Sequence, residues 1–149
     1  MNQQTPPHLL CAVRGGKESR ATVTRAIDLA LEMDARLVFL HVTDAEFLGQ
    51  STIGVPLSVV YRELYEMSEF AMLVLQDRAL RRGVKEVGYI IREGNIRNQL
   101  RQAAIETHAR IMVMGRPVRS PGSNVFKPAE FENFIRELEK EGELRVIAV

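Results

Sequence analysis

Cysteine is nearly missing from this chain. Cys11 is the only one in 149 residues, so no intrachain disulfide can staple the fold. It lies inside an apolar run and reads as a small core side chain, not a nucleophile. Net charge is also nearly missing: 20 Lys and Arg face 19 Asp and Glu, giving +1. No global field therefore recruits nucleic acid or an acidic membrane, and any anion site must come from local placement of basic residues. No apolar run approaches the roughly 18 residues a membrane helix needs. The first residues, Met1 to Pro7, lack the basic-then-apolar pattern of a secretory signal, and the expectation is a cytoplasmic protein. Histidine is sparse. His8, His41 and His108 are far apart in sequence, with no metal-binding spacing, so neither a metal site nor a catalytic histidine set is expected. Repeats, linkers and low-complexity tracts are lacking too, so residues 1–149 read as one domain.

What is present is ordinary globular composition, 46% hydrophobic and 26% charged, arranged as an alternation of short apolar runs and helix-period segments. Leu9–Val13 is a first strand, stopped by Gly15-Gly16. A helix over about Ser19 to Met33 places Val23, Ala26, Ile27, Ala30 and Leu31 on one face. Leu37–Val42 is apolar on both faces, as a central parallel strand would be. A long helix from about Pro56 to Arg82 is expected to turn Val60, Leu64, Met67, Ala71, Val74 and Leu75 inward, and Gly83 suits its C′ position. Val87–Ile91 is the third strand. Asn95 caps a third helix whose inner face is Ile96, Leu100, Ala103 and Ala104. Ile111–Met114 is the fourth strand. Pro128 opens a last helix facing inward with Phe131, Phe134, Ile135 and Leu138, and Gly142 closes it before a fifth strand, Leu144–Val149. Glu137, Glu139, Lys140, Glu141 and Glu143 read as a solvated face. Strand-helix alternation of this kind gives a parallel α/β sheet covered on both faces.

The fourth strand runs directly into Gly115-Arg116-Pro117, with Gly122-Ser123 shortly after. A glycine at that point lets backbone approach a ligand closely. Together with Leu10-Cys11-Ala12-Val13, the Leu-His-Val ending at Leu40-His41-Val42, Glu93-Gly94-Asn95 and the Val-Met-Gly ending at Val113-Met114-Gly115, the chain resembles a universal stress protein domain over nearly its whole length. The resemblance implies a five-stranded parallel sheet of order 3-2-1-4-5, the adenine-nucleotide α-hydrolase-like fold. Its switch point lies between the first and fourth strands. It also implies ATP or another adenine nucleotide as the ligand, with no metal site predicted. Val13, Arg14, Gly15, Val42, Gly115, Arg116, Gly122 and Ser123 are then the binding candidates, and the Val42 backbone would read the base.

The chain departs from the family's phosphate pattern, G-x2-G-x9-G-[ST]. Gly115 matches its first glycine. The second position falls on Val118, and the third pair falls on Pro128-Ala129, where Pro128 has no N–H to donate. Gly122-Ser123 supplies a Gly-Ser pair at a different spacing, as a turn or as a substitute phosphate ligand. Where ATP-binding members carry an aspartate, this chain has Arg14, which can grip an anion but cannot accept a bond from a ribose. Arg14, Lys17, Arg116, Arg119 and Lys127 form either an anion pocket or a solvated basic rim, with Glu18 and Glu130 close enough in sequence to offset them.

Two functions follow, neither catalytic. One is a stress-response regulatory protein holding a small anionic ligand, an adenine nucleotide among them. The other is a ligand-free dimeric interaction module. Slow nucleotide hydrolysis is a third and weaker reading, since neither a general base nor a paired-carboxylate magnesium site is visible. The apolar edge of Leu144–Val149 predicts a homodimer paired through the last strand, as family members commonly form.

Overall fold

Each apolar run becomes a strand and each helix-period segment a helix in the computed structural model, which describes residues 6–14, 19–43, 54, 56–117 and 127–149. Gly15, Gly122 and Ser123 lie outside the described residues, as do Lys17, Glu18, Val118 and Arg119. The elements run β1 His8–Ala12, α1 Ser19–Met33, β2 Arg36–Thr43, α2 Leu57–Arg82, β3 Val87–Glu93, α3 Ile96–Glu106, β4 Ala109–Met114, α4 Pro128–Lys140 and β5 Arg145–Ala148. The five strands form one sheet ordered β3-β2-β1-β4-β5, and every pairing is parallel. Both fold class and strand order are those that the family resemblance implies.

Strand side chains alternate between the two faces, so apolar runs on central strands feed two cores at once. Leu9, Cys11, Leu37, Phe39 and Val113 point to one side, packed with α1, Met72 and Ala79. Leu10, Leu40, Met112 and Met114 point to the other, packed with Leu100, Ala103, Phe131, Phe134 and Leu138. Cys11 is fully buried, and the loss of hydration pushes its thiol up to about 12. It is the inert core residue its setting predicts.

The helix ends follow local chemistry. Gly83 adopts φ 106° after α2, a left-handed conformation that favours glycine, and its N–H returns to the carbonyls of Ala79 and Leu80. The Asn95 side chain accepts a hydrogen bond from the Asn98 N–H at 3.1 Å and caps α3. Gly142 does not terminate α4 by a left-handed turn; the last helical residue is Lys140 and the cap, Glu141, is right-handed. The acidic stretch beyond the middle of α4 remains exposed but is engaged: Arg101 reaches Glu137 at 3.4 Å and Glu141 at 3.1 Å, and Glu139 accepts from the Val146 N–H.

Two inner faces differ from expectation. In α1, Leu29 is buried and Leu31 is 39% exposed. The larger correction is α2, where Met67 is 69% exposed and Val74 is 46% exposed, while the buried positions are Met72 and Ala79. The helix carries apolar residues on opposite sides, so its periodicity admits more than one inward face. Contact with β3 selects this one, and Gln76 fixes it by donating to the Val87 carbonyl at 2.7 Å. Phe70 and Met67 are left on the outside, beside Glu63 and Glu66 in a shallow groove.

Candidate functional site

In a sheet of this order the connections diverge on either side of β1, and the crevice they leave opens at the carboxyl ends of the strands. Hydrogen-bond direction shows which backbone groups face it. Along an extended strand, the N–H and C=O of one residue point to the same side and alternate from residue to residue. The Leu40 carbonyl accepts from the Val13 N–H at 2.8 Å, so Leu40 faces β1. The Thr43 carbonyl accepts from the Gly94 N–H at 3.0 Å and faces β3. Val42, between them in phase, therefore turns its N–H and C=O toward the β1 side.

The same reasoning applies on the far side. Val149 bridges β4, donating to the Met114 carbonyl at 2.8 Å and accepting from the Arg116 N–H at 2.9 Å. Those groups face β5, so the N–H and C=O of the intervening Gly115 face β1. The β1–β4 ladder has already ended, its last registered pair being Cys11 with Val113. Val42 and Gly115 thus aim backbone groups from opposite sides at the slot beyond the end of β1.

Val13 stands at that end, and its backbone is committed to β2. Besides the N–H bond to Leu40, its carbonyl lies 3.0 Å from His41 Nδ1. A carbonyl only accepts, so His41 carries its proton on Nδ1. The histidine is a tether between β1 and β2. Arg14 follows Val13 and is exposed.

Gly115 has a packing reason of its own. A Cβ built there would sit 3.0 Å from Thr22 Oγ1, on the buried face of α1. Its φ is not left-handed. Glycine is needed for close approach of helix to strand, and the same absence of a side chain keeps the slot open. Thr22, the only buried polar residue among those described, was not singled out in sequence. Its sole signal is a hydroxyl on the apolar face of the first helix.

Arg116 and Arg97, near the start of α4, are paired with acids. The Arg116 guanidinium meets Glu132 at 3.1 Å, both groups more than half exposed. Arg97 meets Glu130 at 3.0 Å. Glu130 also turns back on the start of its own helix, where it accepts from the Lys127 N–H at 3.4 Å, with Pro128 at the first helical position. The legible signal was a Glu three residues after Lys127; Glu132 and Arg97 had none, because their pairing is created by helix packing. Among the described residues no group of three or more His, Cys, Asp or Glu side chains could hold a metal ion, and no helix is long and apolar enough to cross a membrane.

With this geometry in place, the comparisons with known proteins are specific. A universal stress protein from Lactobacillus plantarum superposes with a TM-score of 0.71 at 19% identity, covering 98% of this chain and 99% of that one. A universal stress protein in complex with cAMP gives 0.66 at 18% identity, covering 96% of each chain. One from Archaeoglobus fulgidus in complex with dAMP gives 0.61 at 14% identity, covering 97% of each. No curated protein sequence matches the chain. The model of the universal stress protein family matches residues 7–137, and the chain belongs to that family.

Proposed function

We propose that this universal stress-type protein is a non-enzymatic, cytoplasmic regulator that binds a small adenine ligand in the slot beyond β1. The observation that carries this reading is the convergence of the Val42 and Gly115 backbones on one slot. Backbone N–H and C=O groups in that arrangement can read a base edge without a dedicated side chain. The two structural neighbours holding cAMP and dAMP support adenine as the base. Arg14, two residues past the end of β1, would offer a cation to an anionic substituent. Gly15, Gly122 and Ser123 complete the proposed set.

Thermal-shift and calorimetric titration with adenine compounds tests the reading, alongside protein denatured in acid after purification from cells. A rise in melting temperature or release of an ultraviolet-absorbing nucleotide is expected. Neither effect with any adenine compound would leave the ligand-free interaction module, which the self-capped start of α4 favours.

The same reading makes the protein a homodimer through Leu144–Val149. β5 is an edge strand, and Val146, Ile147 and Ala148 are half-buried on it. Pairing two such edges around a two-fold axis would cover them. Ile147→Lys should yield a monomer in sedimentation velocity, and a dimer that persists would place the interface elsewhere.

A further inference from the structure

The outward face of α2 is ordered along its length in apolar character and in charge. Glu63, Glu66, Met67 and Phe70 line a shallow groove on it, and Val74 follows, 46% exposed. Glu63, Met67, Phe70, Val74, Asp77 and Arg81 are spaced by alternate steps of four and three residues. That spacing keeps them on one seam of a helix, here on the side away from the buried Met72 and Ala79. The middle of the seam is apolar, its amino end is acidic and its carboxyl end carries an arginine. The seam is also symmetric. Phe70 and Val74 stand equally far on either side of Met72 in the sequence, and so do Glu63 and Arg81. Glu66 and Arg78, both exposed, repeat the same relation on its flanks.

We propose that this face docks a second copy of the chain, with the two α2 helices antiparallel about a two-fold axis level with Met72. In that register Phe70 meets Val74 of the second copy, and Glu63 meets its Arg81. The symmetry makes every such contact twice, and each acidic end lies on a basic one. A parallel pairing would instead set Glu63 against Glu63 and lose the match. Asp77 falls opposite Met67, but its carboxylate is held by Arg81 of its own helix at 2.9 Å. That bond uses Arg81 Nε and leaves the terminal nitrogens of the guanidinium for the second copy's carboxylate. The inference goes beyond the ligand reading and does not depend on it. It is also separate from the β5 edge, because α2 packs on β3, at the opposite side of the sheet. Two helices meeting along one seam bury less than the roughly 1,200 Å² at which standard interfaces begin, so the contact is weak and forms only in concentrated protein.

Sedimentation velocity of the full chain from about 1 to 500 µM tests this, in wild type and in Ile147→Lys. A reversible doubling with a dissociation constant on the order of 100 µM is expected in both, whatever the β5 edge does. Phe70→Asp should remove that step. Its melting temperature at low micromolar protein, where the face is open, should stay within about 2 °C of wild type. Glu63→Arg alone should weaken the step about tenfold, and Glu63→Arg with Arg81→Glu should restore it to within about twofold. A step that persists in Phe70→Asp, or that the paired charge exchange fails to recover, overturns the proposal. So does a chain that never doubles in this range, which would leave the face to a different partner or to solvent.

Discussion

Helix α4 has 13 residues and commits Phe131, Phe134 and Leu138 to the core, whereas α2 has 26 and commits only Met72 and Ala79 fully. The two helices lie on opposite faces of one sheet. On the α4 side, apolar residues fall in a single stripe, acids and bases fill the rest, and arginines of α3 tie the pair together through Glu130, Glu137 and Glu141. On the α2 side, Met67 and Phe70 point outward at 69% and 71% exposure. A single stripe allows one packed orientation. Apolar residues on opposite sides of a helix leave the orientation to be decided by what it meets, here β3.

The largest test of this contrast is truncation at the two anchors. Phe134→Ala should cost about 3–5 kcal/mol in chemical denaturation, with little change in m-value. Met72→Ala should cost about 2–5 kcal/mol, and because few other α2 side chains are fully buried, it should also loosen that helix selectively. Hydrogen exchange would show this as faster exchange over α2 than over α4. Equal loosening of both helices would mean that α2 is held by more than its two buried residues.

A smaller effect is expected where α1 meets β4. Gly115→Ala brings a methyl group to 3.0 Å from Thr22 Oγ1 and should cost about 1–3 kcal/mol. Thr22→Ala in the same chain removes the opposing hydroxyl, so the two changes together should cost less than their sum. Strict additivity would separate the glycine from Thr22 and leave Gly115 with its role at the slot alone.

Cys11 reports on the α1/α2 face from within. Its thiol should be silent to alkylating reagents in the folded protein and react only when that face opens. The unfolded thiol ionises near 9.0 and the buried one near 12. The unfolded state therefore releases the proton first, and stability falls as pH rises through that interval. Tyr89, whose phenol is also raised by burial and by Glu69, contributes in the same direction. Cys11→Ala keeps the Tyr89 part and loses the cysteine part, so its stability should decline less steeply above pH 9. Parallel slopes for the two proteins would show that Cys11 does not carry the alkaline loss.

This contrast also marks how far the sequence could be read. The strands, the Asn95 and Gly83 caps and the inner face of α4 each follow from local spacing, because a capping side chain or a single stripe determines its own geometry. The strand order did not come from periodicity; it came from family resemblance and agrees with the sheet. At the site, Gly115 and Val42 were legible as positions, but the direction of their backbone groups depends on hydrogen bonds made by Leu40, Thr43 and Val149. The pairings of Arg97 and Arg116 were not legible, since their partners lie 33 and 16 residues away.

The smallest predicted effect is the most discriminating for α2. Phe70 is large and apolar, and periodicity alone cannot separate an inward role from an outward one. At 71% exposure it buries little area in the folded chain, so Phe70→Ala should change stability by no more than about 0.5 kcal/mol. The same truncation at Phe134, which is 1% exposed, falls in the range of several kcal/mol given above. Equilibrium unfolding of both variants under one set of conditions decides between the two orientations of α2. A Phe70→Ala loss near that of Phe134→Ala would turn Phe70 inward and displace Met72 from the core. A negligible loss leaves α2 anchored by its narrow inner face, with Met67 and Phe70 as surface.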